Sequence, residues 1–441
     1  MAFFRRPFRY FAAMRHLALC ALIAAAPALA DERATVDRLR ATIAADTTRN
    51  EALLERLVDR NSGTLNLPGV RAVGDLMRAE LEPLGFRARW VDMAATGRAG
   101  HLIATHAGAR RGKRVLLIGH LDTVFEPSSP FTRLTRDGTR ATGPGVTDDK
   151  GGLVVIVAAL RAMRAAGTLK AANVTVVLTG DEERPGQPSA VARADLIAAG
   201  KAADAALEFE PLAAAGGRDY ATIARRSGSA WELNVTARSG HSAGVFSGSY
   251  GAIYELSRIL DRFRRELIEP HATFNVGLVA GGTPAAIGPT GATATAEGKT
   301  NIIASTAVAR GDLRTLTPEQ DARLRGRMAA IVADHLPGTT ATFDFYDTTP
   351  PVAPLPRNQA LLDELNAVNR AIGLPEMPGF DPDQRGAADS GFVAADVAVM
   401  GGMGTSGGGT HGEGEWVDLA SIPRQALRAA ALIGRLTAQR R

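Results

Sequence analysis

The sequence predicts an α/β protein: a mostly parallel sheet clad in helices, interrupted by a smaller α+β unit. Two observations carry this. Four short, continuously apolar runs, Val115–Ile118, Val174–Leu178, Ala205–Phe209 and Val397–Met400, have the texture of strands buried on both faces. They alternate with helical patterns, which implies an open sheet of parallel strands. Between roughly 219 and 348 the texture changes to half-buried, alternating strands, the mark of a separate layer.

Taken in order, residues 1–30 read as a targeting leader. Arg5, Arg6 and Arg9 precede the apolar run Leu17–Ala26, which is too short to span a bilayer, and Ala28-Leu29-Ala30 offers a small-x-small cleavage site. Arg5-Arg6 loosely resembles a twin-arginine signal. A retained anchor is the alternative. Cleavage after Ala30 would leave 411 of the 441 residues and remove Cys20, the one cysteine, so the mature chain would suit an oxidising compartment without depending on disulfides. A periplasmic or secreted location is therefore expected, with no membrane span after cleavage.

Residues 36–60 carry Val36, Leu39, Ile43, Leu53, Leu54, Leu57 and Val58 in helical rhythm. Leu153–Met163 predicts a helix between the first two strands. In the second layer Ala230–Ala237 predicts a strand. Ile253, Leu256, Leu260, Phe263 and Leu267 form one apolar helical stripe, and Phe274–Val279 and Ile302–Leu313 predict two further strands. Thr317 and Pro318 open another helix as N-cap and first residue, and Thr340–Tyr346 closes the unit. Strand-helix-strand-strand-helix-strand is the order of a ferredoxin-like layer. The expected division is 1–30 leader, 31–218 with 349–441 as the main domain, and 219–348 as the insertion.

Composition excludes several classes. The hydrophobic fraction of 45% is ordinary for a globular chain. The net charge of +5 looks basic, but four of the 51 Lys and Arg residues fall in 1–30, which hold no acid. The remainder sets 47 basic against 46 acidic residues, and aromatics are only 5%, so a nucleic-acid partner is not expected.

Chemistry concentrates where the apolar runs end. Gly119-His120-Leu121-Asp122 follows the first strand, Asp148-Asp149-Lys150 opens the next helix, and Asp181-Glu182-Glu183 follows the second strand. Glu208-Phe209-Glu210 ends the third, and His411 follows the Gly-rich loop beyond the fourth. Open α/β sheets bind ligands outside the carboxyl ends of their strands, where all five groups fall. Singly, each acid is more often a cap or a solvated loop residue; in register, they form a set. Two histidines with several carboxylates and no thiol suit Zn(II), with Mn(II) or Co(II) as substitutes. Such a set can hold two ions that share one carboxylate.

The ordered strings GHLDTV, GPGVTDDKGG, TGDEE, EFEP and GTHGEGEWVD resemble the co-catalytic dizinc metallopeptidase family of aminoacylase and carboxypeptidase G, most of all its secreted glutamate carboxypeptidases. The resemblance spans essentially the whole mature chain. It implies His120 and Glu210 as ligands of one metal, His411 and Glu183 as ligands of the other, and Asp148 as the bridging carboxylate. It implies Glu182 as general base toward the attacking water and Asp122 as the acid holding His120 in its tautomer. A cis peptide after Asp148 is implied too. In the insertion, His241 resembles a lid histidine that steadies the oxyanion, often across a homodimer interface, and Asn301 and Arg314 resemble substrate-binding residues. An Arg fork suits a substrate carboxylate.

Asp149 and Glu208 stand beside ligands, and His101, His106, His271 and His335 have no matching context. Gly386-Ala387-Ala388-Asp389-Ser390 departs from the family's Gly-Gly-Thr-Asp-Ala-like loop, which leaves the side-chain preference open. The expected activity is a zinc carboxypeptidase releasing a C-terminal amino acid, glutamate first. Alternatives are an N-acyl amino-acid deacylase, using the same centre with another pocket, and a non-catalytic solute-binding protein on the same fold.

Overall fold

The computed structural model describes residues 32–109 and 112–441; the expected leader, with Cys20, lies outside the described residues. The base of the molecule is a six-stranded sheet in the order Arg87–Asp92, Gly100–His106, Asn173–Thr179, Arg114–His120, Ala205–Glu208, Val399–Met400. The last four strands run parallel, and the first two join them antiparallel. The antiparallel pair was not predicted. Arg87–Asp92 is an edge strand with alternating exposed residues, so it carries no apolar run.

Side chains along the central strands alternate between two cores, as the period of two requires. Val115, Leu117, Val174, Val176 and Leu207 enter the larger core with the helices Thr47–Val58, Leu67–Leu81, Lys150–Ala165, Pro356–Ile372 and Ser421–Ala438. Leu116, Ile118, Val177 and Ala206 enter the second, with Leu196 of the helix Ala194–Ala202. Each fully buried Leu or Val contributes about 1.5–3 kcal/mol. The expected helix over 36–60 is broken into 32–45 and Thr47–Val58.

Lys150–Ala165 is buried along nearly its whole length, from Lys150 to Met163. Its start is pressed against a strand end: a Cβ on Gly152 would stand 2.1 Å from the Phe209 carbonyl oxygen. Only glycine permits that approach, which brings Asp148 to the sheet edge beside Glu210.

The insertion forms an antiparallel sheet in the order Thr273–Gly282, Thr306–Arg314, Gly228–Ala237, Thr339–Thr349. With the helices Ala252–Glu266 and Pro318–Ala333 it has the expected ferredoxin-like connectivity. Its own core gathers Trp231, Leu233, Leu256, Phe263, Leu324 and Met328 on one face of the sheet. Thr317 caps the second helix, its side chain accepting from the Gln320 amide at 3.1 Å. Two expectations shift. The strand expected from Ile302 begins at Thr306. Ile253, expected in the buried stripe, is 45% exposed, and Ile259 takes the inward place.

Candidate metal centre

The five residues expected as ligands converge at the carboxyl ends of the parallel strands. His120 is the last residue of Arg114–His120, Glu183 lies four past Asn173–Thr179, and Glu210 two past Ala205–Glu208. They form two groups, His120 with Asp148 and Glu210, and His411 with Asp148 and Glu183; within each, candidate ligand atoms lie within 4.8 Å of one another. Asp148 belongs to both. Its Oδ1 is 3.0 Å from His120 Nε2, and its Oδ2 is 3.4 Å from His411 Nε2. Glu210 Oε1 lies 3.6 Å from His120 Nε2, and Glu183 Oε2 lies 3.1 Å from His411 Nε2. The Asp148–Asp149 peptide is cis.

Asp122 organises this edge. His120 Nδ1 faces the Asp122 carbonyl oxygen at 3.1 Å and its carboxylate at 3.4 Å. A carbonyl can only accept, so Nδ1 carries the proton and Nε2 is the nitrogen left for a ligand. The same carboxylate accepts from Thr64 Oγ1 at 2.7 Å and from the amides of Glu182 and Glu183 at 3.0 and 3.2 Å.

The electrostatics of these groups follow from their burial and mutual contacts. Burial and the charge of Glu210 push the Glu182 carboxyl well above its usual range. Burial pushes Glu183 up to about 7, against the pull of His411. Burial would raise Asp148 too, but hydrogen bonds from His120 and His411 hold it well below the usual carboxylate range. Hydrogen bonds to Asp148 and Glu183 push His411 up to about 10. Glu183 Oε1 is buried without a hydrogen-bond partner. An orphaned carboxylate oxygen, two imidazole nitrogens aimed at acids and a carboxylate facing both fit a pair of divalent ions. His411 holds φ +64, a left-handed conformation uncommon for a residue with a side chain.

Three buried supports escaped the sequence. Arg193 joins two loops, with Nε 2.7 Å from Asp389 Oδ1 and one terminal nitrogen 2.5 Å from Asp181 Oδ1. Arg225 lies 2.9 Å from Glu208 and 3.5 Å from Glu210. Glu415 accepts three backbone amides of the turn leading to Asp148. Glu208 is thus an ion-pair partner, while Asp149 accepts from the His120 amide at 3.2 Å. His101 is buried and structural, accepting from the Gly180 amide and donating to the Ala192 carbonyl.

The insertion's residues are not gathered with this centre. His241, Asn301 and Arg314 make no hydrogen bond or ion pair with it among the described residues. The His241 ring accepts from the Ala243 amide at 3.1 Å, and Arg314 pairs with Asp312 at 3.0 Å. The sheet is rooted beside Arg225, whose amide donates to the Val352 carbonyl. His241 follows the far end of Gly228–Ala237, a strand of 10 residues, or about 30 Å at ~3.3 Å per residue.

An open α/β sheet presenting two histidines and three carboxylates around a shared Asp defines a co-catalytic metallohydrolase. The chain belongs to peptidase family M20/M25/M40, whose profile matches residues 116–435. It is 28% identical over 395 residues to carboxypeptidase G2 of Pseudomonas sp. (strain RS-16), covering 86% of this chain and 87% of that protein. It is 35% identical over 199 residues to the succinyl-diaminopimelate desuccinylase of Novosphingobium aromaticivorans, covering 43% of this chain and 51% of that one. A dinuclear metal-binding M20 peptidase from Bacillus subtilis shares the fold, with a TM-score of 0.62 at 15% identity over 89% of this chain and 99% of that one.

Proposed function

We propose that this M20 hydrolase is an exported dizinc carboxypeptidase that cleaves the amide bond beside a free carboxylate, with glutamate the first candidate for the released residue. The observation that carries the two-metal part is Asp148, whose two oxygens face two different histidines. His120 and Glu210 would hold one ion, His411 and Glu183 the other, and Asp148 both. Such a pair supplies Lewis acidity to water and to the scissile carbonyl. The nitrogen and oxygen donor set supports zinc, with manganese and cobalt able to substitute.

Glu182 is the proton carrier. Its raised affinity for a proton suits a group that takes one from the attacking water and returns it to the leaving amine. Asp122 keeps the His120 tautomer fixed and holds Glu182 by its amide. His241 and Asn301, remote from their own centre, would serve the centre of a second copy, steadying the developing oxyanion and the substrate. Beside them Phe246, Tyr254 and Ile253 are 56%, 54% and 45% exposed, an apolar face that supports a homodimer through the insertion. Arg314 would grip the substrate carboxylate.

The likeness to carboxypeptidase G2 along most of the chain supports the carboxypeptidase assignment. The shorter likeness to a desuccinylase favours a second reading, hydrolysis of N-acyl amino acids at the same centre. Export rests on the leader-like composition of residues 1–30. Metal-loaded enzyme assayed on N-acylglutamates, dipeptides with free or amidated C-termini and N-succinyl diamino acids separates these. Cleavage confined to free-acid glutamyl substrates is expected; preference for the succinyl substrates would replace carboxypeptidase by deacylase, and no amide hydrolysis at all would leave a binding protein.

A further inference from the structure

The buried carboxylate of Glu415 has no part in the chemistry above, yet it touches the turn that delivers Asp148. The strand Trp416–Asp418 pairs with Arg140–Thr142, setting Trp416 opposite Thr142. The Arg140 guanidinium lies over the Trp416 ring, 4.2 Å from its centroid. This register places Glu415 opposite Gly143, whose amide donates to the Glu415 carbonyl at 3.1 Å. The side chain then reaches beneath the turn Gly143–Asp148. Its Oε1 accepts from the amides of Thr147 at 2.8 Å and Asp148 at 3.0 Å, and its Oε2 from the amide of Gly145 at 3.0 Å. All three donors belong to buried residues, and Glu415 itself is 1% exposed. Four residues upstream on the same loop stands His411.

We propose that Glu415 is a positioning residue that locks the loop carrying His411 to the turn carrying Asp148, and thereby sets the spacing of the two metal subsites. The proposal rests on the two-metal function above. The chemistry of the contact is demanding. Three amides converge on two oxygens, so only a carboxylate satisfies all of them. Glutamine offers one oxygen, enough for Thr147 and Asp148, and turns an NH2 toward the Gly145 donor. Aspartate is one methylene short. Groups that orient metal ligands from behind typically change metal affinity by about 10–100-fold when altered.

The test titrates metal-free wild type, Glu415→Gln and Glu415→Asp with Zn2+ by calorimetry, alongside circular dichroism and turnover at limiting and saturating metal. Wild type should bind two ions. Folded Glu415→Gln should bind them about 10–100-fold more weakly, and Glu415→Asp more weakly still. In both, kcat should recover toward wild type at saturating Zn2+ while KM is unchanged. A purely structural role would lower the melting temperature and leave the binding constants of the folded protein intact; that result overturns the proposal. Loss of fold in both variants overturns it as well, because the carboxylate would then serve stability. Fewer than two ions in wild type would instead refute the two-metal function, whatever the variants do.

Discussion

The backbone amide of Glu182 donates to Asp122 Oδ1 at 3.0 Å and the Asp122 carbonyl oxygen faces His120 Nδ1 at 3.1 Å, so one residue holds both the proposed proton carrier and the His120 tautomer. One side chain thus couples the end of one parallel strand to the loop after its neighbour. Replacing Asp122 by Asn leaves one acceptor oxygen where two are used, so an NH2 must face either the Glu182 amide or the Thr64 hydroxyl and Glu183 amide. Asp122→Asn should weaken metal binding by about 10–100-fold and lower kcat further at saturating metal, because the loop carrying Glu182 and Glu183 loses one of its anchors. Titration and steady-state kinetics check this; unchanged affinity and kcat would remove Asp122 from the centre.

The pH dependence of metal binding follows from the protons its candidate ligands hold. His411 is pushed up to about 10 and Glu183 to about 7, while His120 is held well above its ordinary value by Asp122, Asp148 and Glu210 despite burial. At pH 7 the His411 imidazole of the metal-free protein carries an extra proton that a metal must displace, and the upward shift of His120 acts in the same direction. Binding at pH 7 should therefore release protons, and affinity should fall as pH is lowered. Calorimetry in buffers of different ionisation enthalpy reads the number directly, and no proton release would contradict the arrangement. The sign for the metal-free fold is opposite. The raised His411 favours the folded state fully below about 6.5, and this support is lost as pH rises through about 10.

Arg193 offers a stability test separate from the metals. It is fully buried between Asp181 and Asp389. Arg193→Met leaves two buried carboxylates without their cation, which should cost about 3–5 kcal/mol in chemical denaturation of the metal-free protein. A loss below about 1 kcal/mol would mean that the pair is no stronger than a surface ion pair.

The remoteness of His241 makes a prediction about mixtures. Glu182→Ala and His241→Ala proteins should each be nearly inactive. Mixed dimers should contain one complete centre, so equal mixing after subunit exchange should restore about a quarter of wild-type activity if assembly is random and the interface is isologous. No recovery would mean that each chain uses its own His241, after a closure of the insertion onto its own sheet.

The region of the candidate ligands was legible in sequence because His120, Glu183 and Glu210 end or follow apolar strands, whose ends in an open sheet share one edge. The choice of the five residues, Asp148 and His411 among them, came from the family resemblance. The supports of these residues were not legible. Arg193 and Arg225 lie in connecting segments without periodicity, and only folding shows that they meet Asp389 and Glu208. Glu415 stood within a quoted string, but the spacing of Glu413 and Glu415 does not tell which faces the Asp148 turn. That follows from the pairing of Trp416 with Thr142. Ile253 matched the helical period yet is 45% exposed, because periodicity marks an apolar face without showing what covers it.

Anomalous diffraction from crystals grown with Zn2+ tests the account most directly. Two peaks about 3.5–4 Å apart are expected, one between His120 and Glu210, one between His411 and Glu183, with Asp148 touching both. A single peak, or two peaks that do not share Asp148, would contradict it.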